Sequence, residues 1–157
     1  MYSINDNIVY KNDVSVILDI KDIKGAMYYI ISPISDLSLK ISVPSDSTMI
    51  RPIIESGSAI DMIENISKIN VCTASNDKAL EQIYKRLLLS GDLGDLLVIF
   101  KTTYLRNLNR INTGKKIGSL DKHYYDESLK KIVSELSLSL RLGAEDIEKF
   151  LIHSINK

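Results

Sequence analysis

Lys78, Gln82 and Lys85 follow one another at helical spacing, four and three residues apart, and Arg86 stands four beyond Gln82, opposite an apolar set made of Ala79, Leu80, Ile83, Leu87 and Leu88. A helix that holds its cations on one side and its hydrocarbon on the other buries the second and offers the first to an anionic surface. The other reactive side chains form no such pattern. His123 and His153 stand alone, with no Cys or carboxylate at metal-ligand spacing. Cys72, the single cysteine, has no basic or His neighbour in the sequence to lower its pKa and reads as a small core residue. Glu145-Asp146-x-Glu148 reads as the acidic first turn of a helix, where the dipole favours anions. Gly114-Lys115 lacks the earlier glycine and the preceding strand that a phosphate loop needs. These residues predict no enzyme, no cofactor and no small-molecule substrate.

The charge distribution points the same way. Residues 1–75 carry six basic and nine acidic side chains, residues 76–131 eleven and seven, and residues 132–157 three and four, so a net charge of zero hides a basic middle. An imbalance of that size suits a nucleic-acid footprint, and ordinary solvated helix faces also produce it. No apolar run is long enough to span a bilayer. The start, Met1-Tyr2-Ser3-Ile4-Asn5-Asp6, has neither the basic nor the apolar region of a signal peptide. With one cysteine and no possible intramolecular disulfide, a cytoplasmic protein without a membrane partner is expected.

The elements that must position these residues change character near Val43-Pro44. Before it the pattern is that of short strands: Ile8–Tyr10; a turn at Lys11-Asn12-Asp13; Val14–Ile20, with Val14, Val16, Leu18 and Ile20 on one face and Ile17 on the other; a turn at Lys24-Gly25; Met27–Ile31; and Leu37–Val43, alternating strictly. From Ala59 onward the period is helical. Ala59–Ile66 carries a stripe of Ile60, Ile63 and Ile66, and Asn76 or Asp77 caps the next helix, which ends at Ser90-Gly91. Asp92 caps a third helix, with Leu93, Leu96, Leu97, Phe100 and Tyr104 repeating along it. Residues 112–118 form a loop, Ser119 caps a long fourth helix lined by Tyr125, Leu129, Ile132, Val133, Leu136 and Leu140, and Ala144–Ile155 closes the chain. The expected class is α+β, with a β domain at 1–55 and a helical domain at 56–157. Strands this few leave exposed edges, and an exposed edge is either a liability or a docking site for a partner strand.

Taken in order, Asp6-x-Ile8-Val9-Tyr10, Tyr28-Tyr29, Val43-Pro44, Arg51, Leu89-Ser90-Gly91-Asp92 and Ser134-Glu135-Leu136 resemble the CarD/CdnL family of bacterial transcription regulators over nearly the whole chain. The resemblance implies a Tudor-like small β-barrel or sheet that docks on the RNA polymerase β subunit, with Lys21, Lys40, Ser42 and Arg51 at the contact. It implies a helical domain facing promoter DNA at the upstream edge of the transcription bubble, with Lys78, Lys85 and Arg86 on the phosphates. Two departures stand out. The family's tryptophan wedge falls at about Asn76 or Asp77, and this chain has no Trp. Ser42 occupies a position where family members tend to carry a basic residue, and Lys40 is expected on the same face one pleat earlier. Without the wedge, DNA contact is expected to be weak and assisted by polymerase. The alternative is an adaptor that binds polymerase without touching DNA.

Overall fold

Lys11 and Asn12 both take positive φ, 51° and 69°, and so do Lys24 and Gly25, at 53° and 84°. Two consecutive residues in that region make the tight two-residue turn whose twist matches a right-handed hairpin. The first turn joins β1 (Asn7–Tyr10) to β2 (Asp13–Ile23), and the second joins β2 to β3 (Ala26–Pro33). β4 (Ile41–Pro44) pairs with β3, and β5 (Ile50–Pro52) returns to pair with β1. The result is an antiparallel five-stranded sheet in the order β4-β3-β2-β1-β5. The computed structural model describes residues 1–157 and divides them into two compact units, Met1–Ile53 and Ile54–Lys157. The second unit contains five α-helices, so the chain is α+β.

The sheet corrects three sequence expectations. Its core holds Ile8, Ile17, Tyr29, Ile31 and Val43, with Ile20 packed against them, while Leu18 is 37% exposed. The register shifts between Ile17, opposite Ile31, and Asp19, opposite Ile30, so Leu18 is an extra residue. One inserted residue reverses the phase of every later side chain, and Ile17 and Ile20 thereby share the core. The fourth strand is also shorter than its alternation suggests. The Asp36 carboxylate accepts from the Ser38 backbone N–H at 3.2 Å and from its hydroxyl, and the Leu39 N–H donates to the Asp36 carbonyl. This local turn outcompetes strand pairing. It leaves Leu37 and Leu39 at 62% and 48% exposure, and Lys40 lies outside β4, so the pleat that was to align it with Ser42 is absent. Finally, β5 escapes sequence reading because it is three residues long and ends in proline.

In the helical unit α1 (Ser56–Glu64) runs into a single 3₁₀ turn at Ile66–Lys68. α2 (Asp77–Leu88), α3 (Leu93–Asn112), α4 (Ser119–Leu140) and α5 (Ala144–Ile155) follow. The main core gathers Ala59, Ile63 and Ile66 with Leu96, Leu97, Phe100, Ile132, Leu136, Ile147 and Leu151. Ala59 replaces Ile60 on the buried stripe of α1, and Ile60 is 38% exposed. Ala59 and Ile63 stand four residues apart, one turn, whereas Ile60 lies about 100° around the helix from Ala59. A second cluster joins Leu80 and Tyr84 of α2, Ile99 of α3 and Tyr124 of α4. α3 thus buries two faces. Asn76 and Asp92 cap α2 and α3 as expected, each side chain accepting from a backbone N–H at 2.8 Å. Ser119 does not cap α4: the N-cap is Gly118, which has no side chain to bond, and Ser119 is the first helical residue. No helix is long and apolar enough to cross a membrane.

Candidate nucleic-acid interface

The position of α2 is set by polar links on its buried side. Asp121, 1% exposed, accepts from the Tyr84 hydroxyl at 2.8 Å and from Arg106 Nε at 2.9 Å. Arg106 extends the chain of contacts to Asp77, with Nη2 3.2 Å from the carboxylate. The Tyr124 hydroxyl donates to Glu81 at 3.0 Å. These bonds join α2 to α3 and α4 at both its first turn and its middle. Burial, and then the hydrogen bond to Asp121, push the Tyr84 phenol far above its ordinary value. Burial and the Glu81 hydrogen bond push Tyr124 up to about 12. Both hydroxyls therefore remain donors across the physiological range. Burial opposes the Arg106 charge, but Asp121, with Tyr84 and Asp77, more than offsets it and raises its pKa.

The segment leading into α2 is anchored to α3. Lys101, 7% exposed, donates from Nζ to the Ser67 carbonyl at 3.0 Å and the Ile69 carbonyl at 2.6 Å, and burial lowers its pKa. The Cys72 N–H donates to Thr102 Oγ1 at 3.0 Å. Burial raises the Cys72 thiol, so it is held as a neutral packing group.

With its buried side held in this way, α2 turns Lys78, Gln82, Lys85 and Arg86 outward, and all four are exposed. No ion pair occupies Lys78, Lys85 or Arg86. Lys78 and Lys85 lie seven residues apart, about 10 Å along the axis, on the scale of successive phosphates rather than of one small ligand. Asn76 and Asp77, at the place of the expected wedge, have structural work instead. Asn76 caps the helix and Asp77 meets Arg106, so the Asp77 charge is compensated rather than set against a phosphate. Tyr84 is wholly buried and tilts against the Tyr124 ring at 5.1 Å, which removes it as a wedge.

The β-unit residues are less clustered. In sheet order Ser42 on β4 and Arg51 on β5 occupy opposite edges, while Lys21 sits on β2 opposite Tyr28. Lys21, Lys40 and Ser42 are exposed, and Arg51 is half-buried. β4 and β5 each pair on one side only. No group of three or more His, Cys, Asp and Glu side chains is placed to hold a metal ion, and His123 packs edge-on against Tyr124 at 4.9 Å. Sequence reasoning located the cations of α2 but missed Arg106 and Asp121, which lie 15 residues apart on different helices with no local pattern between them. No protein-family model matches the chain, and none of the curated proteins searched is similar to it.

Proposed function

We propose that the chain is a transcription regulator that docks on the RNA polymerase β subunit through its β unit and lays α2 along promoter DNA near the upstream edge of the bubble, modulating open-complex stability. The observation that carries this reading is the unpaired, outward stripe of Lys78, Lys85 and Arg86 on a helix locked from behind. Such a stripe attracts phosphates without reading bases. Without a tryptophan wedge its binding is weak and salt-sensitive, and polymerase supplies the local concentration. The one-sided strand β4, near Lys40 and bearing Ser42, suits docking by main-chain pairing, a mode that tolerates the loss of a basic side chain. The expected absence of enzymatic activity belongs to this reading.

The adaptor reading, polymerase binding without DNA contact, draws on the engagement of Asn76 and Asp77 inside the helical unit. One experiment separates the two. Lys78, Lys85 and Arg86 are changed together to Ala, and open-complex lifetime and polymerase binding are measured at low salt. The regulator reading expects a shorter lifetime with polymerase binding unchanged. A lifetime equal to wild type makes this an adaptor, and polymerase binding that persists after deletion of residues 1–55 removes both readings.

A further inference from the structure

A second cationic surface lies where α3 ends. Arg106, Asn109, Arg110, Thr113 and Lys115 line a cleft of about 230 Å³ without a carboxylate among them. That is smaller than the roughly 300–1,000 Å³ of pockets for drug-sized ligands and ample for one phosphate group. Asp121 and Asp77 already neutralise Arg106, but no ion pair holds Arg110 or Lys115. A helix C-terminus ordinarily repels anions through its free carbonyls. Here three of the last four carbonyls are occupied: Arg110 O accepts from the N–H groups of Thr113 and Lys115, Asn109 O from the Thr113 N–H and hydroxyl, and Ile111 O from the Gly114 N–H. The Lys115 bond, at 2.8 Å, also folds the loop back so that the Lys115 backbone lies beside that of Arg110. The Arg110 guanidinium rests on Gly118, whose missing Cβ would come within 3.1 Å of it. The cleft also connects with α2, since its Arg106 contacts Asp77, the neighbour of Lys78.

We infer that this cleft holds a backbone phosphate of DNA, through Arg110 and Lys115, on a track continuous with Lys78. The inference rests on the proposed function and extends it to a second contact. Its test is titration of the ¹⁵N-labelled full chain at low ionic strength with a short DNA duplex and, separately, with inorganic phosphate. The duplex is expected to shift the Arg110 Nε–H, the Asn109 side-chain amide and the Thr113 and Lys115 amides. The double variant Arg110→Gln, Lys115→Gln should abolish those shifts. It should also flatten the dependence of log K on log salt by about 0.9, the value for one phosphate. Gly118→Ala, which requires only the flexible guanidinium to yield, should weaken binding less than the double variant, and the reverse order would overturn the role of Arg110. Duplex-induced shifts confined to α2 would overturn the cleft and leave the proposed function standing. Shifts with inorganic phosphate but not with duplex would make this a small-anion site and overturn the inference. No shift with either ligand would overturn it too, while the fate of the proposed function would still be decided by open-complex lifetime in the Lys78, Lys85, Arg86 variant.

Discussion

The sheet and the helical unit solve the same problem by different means. The sheet's core is small and apolar, five buried side chains across four strands, and main-chain pairing joins its strands. The helical unit adds a buried polar frame to its larger core: Asp121 between Tyr84 and Arg106, Lys101 on two carbonyls, and Glu135, 2% exposed, accepting from the Ile54 N–H at 2.9 Å. Hydrocarbon contacts are non-directional, whereas a buried carboxylate with two donors fixes distance and rotation. The helical unit is thus the one that can hold a chosen helix face outward with defined orientation. The sheet instead offers backbone edges that are indifferent to side-chain identity.

Breaking the polar frame should have the largest effect. Asp121→Ala leaves the Tyr84 hydroxyl and the Arg106 guanidinium without their shared buried partner. A loss of about 3–5 kcal/mol is expected by analogy with other broken buried pairs. Urea denaturation checks the size, and native-state hydrogen exchange of the full chain should place the loss of protection in α2–α4 and leave β1–β3 protected. Ile17→Ala is the matching lesion in the sheet and should cost about 2–5 kcal/mol. Its exchange pattern should be the converse, with protection lost in β2 and β3. If both variants loosen the same amides, the contrast between the two units fails.

Asn76→Ala should cost about 1 kcal/mol by removing the α2 cap, measured as a lower urea midpoint at unchanged slope. Alkaline titration gives a smaller and more selective effect. The folded-state pKa of Tyr124 is raised above the ordinary value of about 10. Its hydrogen bond to Glu81 therefore contributes fully below that pH and is lost as pH rises toward about 12. The melting temperature of wild type should fall more steeply over this window than that of Tyr124→Phe, and parallel curves would show that the bond contributes nothing. The smallest stability effect is expected for Lys85→Ala, within about 0.5 kcal/mol, since its side chain is exposed and unpaired.

How much of this was legible before folding varied with the range of the interaction. Hairpin turns, helix caps and the cationic stripe depend on residues at most seven apart, and local chemistry announces them: Lys24-Gly25 for positive φ, Asn76 and Asp92 for orphan N–H groups, Lys78 and Lys85 for one helix face. The misreadings mark places where neighbours intervened. Leu18 belongs to an alternating run, yet a bulge against β3 ejects it. Leu37 and Leu39 alternate equally well, yet Asp36 captures Ser38 first. Ile60 is more apolar than Ala59, but the smaller residue is the one buried against the other helices. In the candidate site, Lys78, Lys85 and Arg86 could be read as exposed from spacing alone, while the roles of Asp77, Arg106 and Asp121 could not.

By itself the sequence determined the class, the change from strands to helices and the sign of charge on the outer side of α2, because periodicity and composition act within one or two turns of chain. The register of β2, the pairing of β5 with β1, the engagement of Asp77 and the carboxylate-free cleft at Arg110 and Lys115 were decided only in three dimensions. Each joins elements that no local pattern links, and a buried charge or an unpaired strand takes its meaning from the group that lands opposite it.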